Sequence, residues 1–495
     1  MISVNQLTGW TGRHKGLVIF GLVWMTLFSA GAQFYAGSWM VYGAFSAVSL
    51  AALVSGLIGR RRYSYMFLVI FLWLGFWFKL TANFMIFGHF PFGEPIGRFD
   101  SSPEAWDTVL WIAVAAFLGA MLGRLMWVWL PRFQQEQIFQ GIAPSWYAST
   151  RRLLWLGLGV FTVVTALINV LYGVQQIGLA PRTVFPWPLN AVIAWSLNIG
   201  CALGVAVLTG WDIASGRKLT WQPYAIVAEA LVSAVTIISR SAYLFHTVPP
   251  LFSLKSDKQV SHYTRRQLMT FTGIAVGLFM VSIAAVSFMR DYQYTTSQAR
   301  PVTQPVAVLG GNQRHSLTTP APAKAAPSEE PVISSFRWIL LHQLIVNRWI
   351  GLEGAMAISA HSGLGAALLD TMLFETREVG KATAYQQISE SGYQNDDPKF
   401  QFASTPGMAG FMYLGGSLWI VIAGVAIFVV LSIAGEELLL RLTANPVFCS
   451  LYGVTAANAA AQFGVTPRQD LPQFMMIFFM ALVVYLLQKT FRKQP

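Results

Sequence analysis

The amino-acid sequence predicts an all-α polytopic membrane protein with about 12 transmembrane helices and one large, partly helical loop on the outer side. Its 495 residues are 55% hydrophobic and only 11% charged, with a mean hydropathy of +0.52. Soluble domains, by contrast, carry about 25% charged residues. A helical span needs about 20 apolar residues, and runs of that length recur along most of the chain. Only the interval 290–407 is both long and hydrophilic.

The hydrophilic interval divides the predicted spans into nine before it and three after it. The chain therefore has three parts: spans one to nine in 1–289, a loop or cap in 290–407, and spans ten to twelve in 408–495. The seventh and eighth spans are the uncertain pair, because their apolar run is too long for one span and short for two. The predicted spans are 16–34, 38–58, 64–87, 107–129, 152–172, 188–210, 222–239, 241–254, 269–289, 408–433, 445–463 and 471–488.

Basic residues assign the topology, since positively charged loops favour the cytoplasmic side. This assignment holds only if the chain turns back at Ser239-Arg240-Ser241, because otherwise every later loop would change sides. Both termini are then cytoplasmic, and the net charge of +12 is a topology signal that indicates no nucleic-acid partner. With the N-terminus inside, 19 of the 33 Lys and Arg residues are cytoplasmic: Arg13, Lys15, Arg60, Arg61, Arg62, Arg124, Arg132, Arg151, Arg152, Arg217, Lys218, Lys255, Lys258, Arg265, Arg266, Arg441, Lys489, Arg492 and Lys493.

The long outer interval changes composition along its length. Residues 299–331 are rich in Pro, Ala, Thr and Ser, which is typical of a flexible linker, whereas 333–385 have helical apolar spacing. Nine basic residues nearly cancel ten acidic ones in 290–407, which predicts a small structured cap. Arg337 and Arg348 lie eleven residues apart, so one helix would place both on one face. The alternative is an interfacial helix whose Arg residues contact lipid headgroups.

Several kinds of site have no sequence pattern in this chain. The two cysteines, Cys201 and Cys449, fall in apolar spans and form no disulfide framework or metal-type spacing. No phosphate-binding loop follows a strand. The first apolar run follows Arg13 and Lys15 and is interpreted as a span, so no cleavable signal peptide is expected. We expect no metal and no cofactor.

A set of cations on the outer side is the strongest candidate for chemistry. Ionisable groups inside a membrane are costly and are therefore functional candidates, and Arg is suited to bidentate recognition of phosphate. Several converging Arg side chains would hold an anion such as a diphosphate. Each could instead be an anchor at the lipid headgroups, although Arg240 is a poor anchor because it interrupts an apolar run. The candidates are Lys79, Arg98, Arg182, Arg240, Arg290 and Arg348.

Other polar and aromatic residues give weaker signals. Glu229, in the seventh span, could pair with Lys79 across the bundle as a structural pair or take part in catalysis. His246 is interpreted as a satisfied buried histidine, with a proton relay as the alternative. His342 and His361 are weak candidates for a base. Five outer carboxylates could accept a proton or bind sugar hydroxyls: Glu94, Asp100, Glu353, Asp396 and Asp397. Six aromatic residues could stack on sugars, although interfacial aromatics are usually belt residues: Trp349, Tyr393, Phe400, Phe402, Trp187 and Phe92.

These residues also carry a family resemblance that covers most of the chain from about 65 to 435. The sequence resembles Wzy-type polysaccharide polymerases, of the O-antigen polymerase and ligase group. Residues 299–331 have no counterpart in that pattern. The motifs are Gly75-Phe76-Trp77-Phe78-Lys79, Glu94-Pro95-Ile96-Gly97-Arg98-Phe99-Asp100, the loop from Gln176-Ile177-Gly178-Leu179 to Pro188, Ser239-Arg240, Arg348-Trp349-Ile350-Gly351-Leu352-Glu353-Gly354, and Pro406-Gly407-Met408-Ala409-Gly410-Phe411-Met412-Tyr413-Leu414-Gly415-Gly416-Ser417.

The resemblance implies a metal-independent GT-C-type glycosyltransferase of the bacterial inner membrane, with the large loop in the periplasm. It implies a growing glycan on undecaprenyl diphosphate as donor and a lipid-linked repeat unit as acceptor. A chain-length regulator and a glycan flippase are the implied protein partners. Arg240 and Arg348 are the first choices for stabilising the leaving diphosphate, with Glu353 as general base. The implied substrate-binding residues are Lys79, Arg98, Arg182, Arg290, Asp100 and Trp349.

Two other functions remain open at this point. An O-antigen ligase would move glycan from the same donor onto lipid A–core, and sequence does not distinguish one acceptor from the other. A transporter or flippase of lipid-linked glycans would suit twelve spans. Transporters, however, often show two similar halves, and no repeat is found here.

Overall fold

The computed structural model describes residues 4–58, 62–129, 142–179, 181–256, 263–298, 342, 345–376, 382–390, 405–464 and 470–491. Their regular secondary structure is helical, with π-helical turns inside two of the long helices. The helices are α1 Val4–Phe34, α2 Trp39–Leu57, α3 Tyr63–Phe87, α4 Pro103–Val128, α5 Tyr147–Tyr172, α6 Leu189–Ala214, α7 Gln222–Thr236, α8 Arg240–Ser256, α9 Arg265–Gln298, α10 Leu352–Ser359, α11 Ala366–Leu373, α12 Ala384–Ile388, α13 Gly407–Tyr413, α14 Leu418–Thr443, α15 Pro446–Ala461 and α16 Leu471–Thr490.

Within the described residues, eight helices are long and apolar enough to cross a membrane: α2, α3, α4, α5, α6, α9, α14 and α16. The prediction of an all-α polytopic membrane protein is therefore confirmed. The remaining predicted spans coincide with α1, whose apolar part is Ile19–Phe34, and with three helices of 15 to 17 residues, α7, α8 and α15. At about 1.5 Å per residue, these three extend less than the roughly 30 Å of a hydrocarbon core.

The bundle is built around α3, and its outer members face away from the protein. In α3, 78% of the apolar window is buried, against 17% in α9 and 22% in α5 and α16. α3 packs on α15, and α4 packs on α14 and α2. An apolar helix that buries so little against protein needs an apolar surrounding, which favours lipid around α5, α9 and α16.

The tenth span was predicted at 408–433, but the structure has a short helix and then a long helix in this region. The short helix α13 ends at Tyr413, and a turn separates it from α14, which begins at Leu418 and continues to Thr443. Gly416 has a φ of 76°, a left-handed conformation that glycine adopts without strain. The Ser417 hydroxyl then accepts a hydrogen bond from the Trp419 N–H and caps α14. Apolar composition continues through this turn, so hydropathy alone did not show it.

The seventh and eighth predicted spans form a helical hairpin with Arg240 at its tip. α7 ends at Thr236, residues 237–239 make the turn, and Arg240 is the first residue of α8. α7 and α8 pack against each other. Ile238 has a φ of 56°, a strained conformation for a β-branched residue. The turn therefore lies where the sequence predicts it.

Contacts sort the helix ends into two groups, as expected for a bundle with two faces. At one end, Asp212 accepts hydrogen bonds from Tyr147, Gln222 and Arg151, which joins the start of α5, the end of α6 and the start of α7. At the same end, Arg62 before α3 pairs with Glu437 of α14 at 2.7 Å. The Lys79 half of α3, the tip of the α7–α8 hairpin and the helices α10–α13 belong to the opposite end.

Candidate functional site

The site is organised where the loop before α10 lies against α3. Residues 73–78 of α3 form a π-helical turn, a local widening that is frequent at functional sites. Gly75 in this turn faces the Ile350 carbonyl so closely that a Cβ would clash with it. Gly351 has a φ of 146°, and a Cβ there would lie 2.7 Å from the Phe76 ring. The two glycines therefore permit a backbone approach that a side chain would prevent.

Lys79 follows the π-helical turn and fixes this loop. Its ammonium lies 2.7 Å from the Glu353 carboxylate and donates to the carbonyls of Asn347 at 3.1 Å and Trp349 at 2.9 Å. An ammonium has three donors, so all of them are used. The side chains of Lys79 and Glu353 are only 1% and 3% exposed. Lys79 thus holds the backbone on both sides of Arg348 and has no donor left for a substrate.

Arg348 lies in the turn at 346–348, between the two carbonyls that Lys79 binds. Burial, together with repulsion from Arg290 and Arg240, lowers the pKa of Arg348 to about 10, and the nearby Glu94 opposes the shift. The guanidinium remains charged at neutral pH. Arg290 and Arg240, from two other elements, therefore lie near enough to Arg348 to affect its ionisation.

Arg290 and Arg240 are placed together by the hairpin. Arg290, near the end of α9, donates from Nη2 to the carbonyl of Ile238 at 3.0 Å. Ile238 lies in the turn two residues before Arg240, so α9 brings Arg290 to the tip of the hairpin. Both side chains are partly buried. Arg290 lies near the end of α9 and Arg240 lies at the start of α8. From these positions, their long side chains can extend toward the Arg348 loop.

Two acidic or phenolic groups complete the site. The Glu94 carboxyl has a raised pKa, caused by burial and by the nearby Glu353, while Lys79 and Arg348 oppose the rise. Burial, Glu353 and Glu94 raise the pKa of Tyr385 in α12, which keeps that hydroxyl protonated. Glu94 and Arg348 both keep accessible surface, although burial is the largest cause of each shift. Both side chains are therefore partly covered by protein and partly accessible.

A row of polar side chains connects α3 to the loop. Asn83 donates to the Lys79 carbonyl at 2.8 Å and to the Asn347 side chain at 3.3 Å. Its side-chain oxygen lies 2.7 Å from Nε2 of His342. Burial and the charge of Lys79 lower the pKa of His342, so it is neutral at pH 7. Sequence reasoning missed Asn83, Asn347 and Tyr385; Asn83, four residues after Lys79 on one helix face, was detectable.

Two of the predicted binding residues lie on exposed parts of the preceding loop. Arg98 donates from Nε to Glu390 at 3.0 Å, with side chains 81% and 55% exposed. Asp100 accepts a hydrogen bond from the Ser102 N–H at 3.0 Å, and this contact lowers its pKa. An exposed ion pair contributes little to stability. These contacts connect the loop to Glu390, which follows α12, and to Ser102, which precedes α4. The charges that affect the pKa of Arg348 are those of Arg290, Arg240 and Glu94.

Arg182 and Trp349 have mainly structural contacts. Arg182 donates from Nη2 to the Val170 carbonyl at 2.9 Å, in the last turn of α5, where a cation satisfies helix-end carbonyls. The Trp349 indole N–H donates to the Ile345 carbonyl at 2.7 Å, and its ring centroid lies 6.0 Å from that of Phe71. Trp349 therefore packs on α3 beside the site.

The predicted pairing of Glu229 with Lys79 is wrong. Glu229 of α7 accepts from Ser233 at 2.7 Å and lies 3.2 Å from Nδ1 of His246 in α8. Nε2 of His246 lies 2.9 Å from the Asn198 carbonyl. Both ring nitrogens thus have partners, as expected for a satisfied buried histidine. The error arose because spacing along a span does not show which neighbour its carboxylate faces.

Some predicted features lie outside the described residues. These are the linker 299–331, the helix through Arg337, and the loop residues Tyr393, Asp396, Asp397, Phe400 and Phe402. Arg348, the other member of the predicted pair, is found in a turn.

At one end of the helical bundle, Arg348 thus lies near Arg240, Arg290 and the exposed Glu94. Fixed Arg charges of this kind bind phosphate groups and stabilise negative charge on a leaving group. Comparison of the chain with protein-family models, with curated proteins and with solved structures found no match.

Proposed function

We propose that the protein is a metal-independent, GT-C-type glycosyltransferase that polymerises undecaprenyl-diphosphate-linked oligosaccharide repeat units at the periplasmic face of the bacterial inner membrane. The observation that supports this proposal most is the proximity of Arg240, Arg290 and Arg348. Repulsion between like charges is unfavourable, and a bound anion would offset it. A diphosphate provides two adjacent anionic groups of the right kind.

In the proposed reaction, a hydroxyl of the acceptor repeat unit attacks the anomeric carbon of the growing glycan. The bond from that carbon to the diphosphate oxygen breaks, and undecaprenyl diphosphate leaves. Negative charge grows on the leaving oxygen, and pre-positioned guanidinium groups stabilise it without reorganisation. Three such charges neutralise a diphosphate without a divalent ion. Lys79, buried against Glu353, acts by fixing the Arg348 loop.

The proposal includes a membrane arrangement of twelve spans, with both termini in the cytoplasm. α7 and α8 are short for complete spans, but as a hairpin they return the chain to the side from which it came. The end that carries Arg62 and Arg151 then faces the cytoplasm, in agreement with the positive-inside rule. A glycan flippase and a chain-length regulator are the proposed protein partners.

Substitution of Arg240 tests the proposal directly. We expect Arg240→Ala to lose about a hundredfold in polymerisation rate, about 3 kcal/mol, because one charge-assisted contact to the leaving group is lost. Arg240→Lys should also be impaired, since an ammonium cannot form the bidentate fork. The assay uses purified protein, a lipid-diphosphate-linked oligosaccharide and gel analysis of chain length, with excess EDTA in a parallel reaction.

The matched control is Arg266→Ala, an exposed Arg at the opposite end of α9 from Arg290. It should polymerise normally. Normal polymer length from Arg240→Ala would make Arg240 an interfacial anchor. Loss of activity in EDTA that Mg²⁺ or Mn²⁺ restores would overturn the metal-independent mechanism. Transfer only to lipid A–core, or translocation without bond formation, would replace the polymerase by a ligase or a flippase.

A further inference from the structure

Glycosyl transfer to a hydroxyl requires a group that accepts the hydroxyl proton. Glu353, the base that the sequence predicts, is poorly placed for this role. Glu353 is buried, and the Lys79 ammonium lies 2.7 Å from its oxygens. The Glu353 side chain is only 3% exposed, so a sugar hydroxyl cannot reach it unless the Arg348 loop moves.

Glu94 is the other carboxylate at the site, and the structure places its loop beside the same groups. A Cβ on the preceding Gly93 would lie 3.9 Å from Oε1 of Glu353 and 3.7 Å from Nδ2 of Asn347. Glu94 is near enough to Arg348 and Lys79 for each to affect its ionisation. Unlike Glu353, its side chain is exposed, so an incoming molecule can reach it.

We propose that Glu94 is the general base of the transfer reaction proposed above, on which this inference depends. The acceptor oxygen forms a bond to the anomeric carbon while the bond to the diphosphate oxygen breaks. The hydroxyl proton passes to the Glu94 carboxylate, and the electron pair of the broken bond stays on the departing undecaprenyl diphosphate. The Glu94 proton is then lost to water before the next cycle.

The electrostatic surroundings suit this role. Burial and the like charge of Glu353 raise the pKa of Glu94, which makes its carboxylate more basic, and the cations Lys79 and Arg348 limit the rise. The other candidates are less suitable. Tyr385 is held in its protonated form, and Asp100 has a lowered pKa and therefore a weaker affinity for a proton. His342 is engaged by Asn83.

A nucleophile without a proton separates base catalysis from substrate binding. With the acceptor repeat unit, Glu94→Gln should lose at least about a hundredfold in rate, the usual minimum for general-base catalysis. With azide in place of the acceptor, no proton has to be removed, so Glu94→Gln should form glycosyl azide at the wild-type rate. Mass spectrometry measures the azide product. Glu104→Gln, an exposed carboxylate at the start of α4, is the matched control and should behave as wild type.

The pH profile provides a second measurement. The wild-type rate should fall as the pH falls through the raised pKa of Glu94, because the protonated carboxyl cannot accept another proton. This acid limb should lie above the usual range of a Glu carboxyl and should disappear in Glu94→Gln. If the wild-type protein does not use azide, the presence or loss of this limb decides the question.

Each failure has a distinct signature. Wild-type polymerisation by Glu94→Gln, or equal loss of the acceptor and azide reactions, would overturn the role of Glu94 while leaving the polymerase proposal intact. A wild-type protein that makes neither polymer nor glycosyl azide would overturn the proposed function itself.

Discussion

At the scale of single residues, Lys79 shows how a buried charge can act through its neighbours. It lies in the most buried long helix, and its contacts are two carbonyls and one carboxylate from a loop about 270 residues away. Breaking such a pair leaves an uncompensated buried charge, whereas replacing both partners with apolar residues of similar volume is often tolerated. The pair therefore allows the positioning of Arg348 to be tested separately from folding.

The double variant Lys79→Met/Glu353→Met should fold but bind the lipid-linked diphosphate donor about tenfold more weakly, because lost hydrogen bonds of this kind are worth about 1.5–3 kcal/mol. In an Arg348→Ala background, the same two changes should have little further effect. Such non-additive losses of donor affinity would show that Lys79 acts through Arg348. The donor affinity is measured by titration for the wild-type protein, the double variant, Arg348→Ala and the combination of all three changes. Additive losses would instead indicate that Lys79 binds the donor itself.

At the scale of elements, glycines determine how closely the Arg348 loop approaches α3. Gly75 lies inside a helix, where Ala is ordinarily preferred by about 1 kcal/mol. Here a Cβ would meet the Ile350 carbonyl. Gly43, inside α2, has no heavy atom within 4 Å of its Cβ position. Gly43 thus has open space where Gly75 has a close neighbour, so Gly43 serves as the control for Gly75.

We expect Gly75→Ala to lower the thermal stability of the purified protein and to reduce polymerisation, because the loop must move away from α3 to accept the methyl group. Gly43→Ala should leave activity unchanged and should be neutral or slightly stabilising. Thermal unfolding in detergent, followed by tryptophan fluorescence, provides the comparison. Equal midpoints for the two variants would contradict the close approach.

At the scale of the whole molecule, the sorting of contacts into two ends supports the charge-based topology. The Asp212 network and the Arg62–Glu437 pair join helix ends that the charge pattern assigns to the cytoplasm. Lys79 and Asn83 of α3 contact Asn347 in the loop that the charge pattern assigns to the outside. A bundle has only two faces, so one misplaced turn would have produced contacts between ends of opposite assignment.

Cysteine labelling of intact cells tests this arrangement. With the two buried native cysteines replaced, Val184→Cys before α6 should react with a membrane-impermeant maleimide, since its side chain is 74% exposed on the proposed outer face. Thr264→Cys, just after the α7–α8 hairpin, should react only after permeabilisation. Labelling of Thr264→Cys from outside would mean that the hairpin does not return the chain to the cytoplasm.

The sequence by itself determined the features that depend on local composition. Hydropathy identified the helical membrane class, and charge together with run length identified the turn before Arg240. The sequence also placed the outer Arg residues at one level of the bundle. In the structure, Arg290 and Arg240 lie near enough to Arg348 to lower its pKa, and their role in binding stays a prediction. Arg98 and Arg182 share that level too, but Arg98 pairs with Glu390 and Arg182 donates to the Val170 carbonyl. Composition alone did not predict these contacts.

Only the tertiary structure decided which side chains face one another. Glu353 and not Glu229 pairs with Lys79, because the partner of a buried charge depends on helix rotation and on loop approach over hundreds of residues. The same holds for the contrast between Glu353 and Glu94, which are both outer carboxylates in the sequence. Lys79 sequesters Glu353, whereas Glu94 is exposed on its loop, and no local sequence pattern encodes this difference.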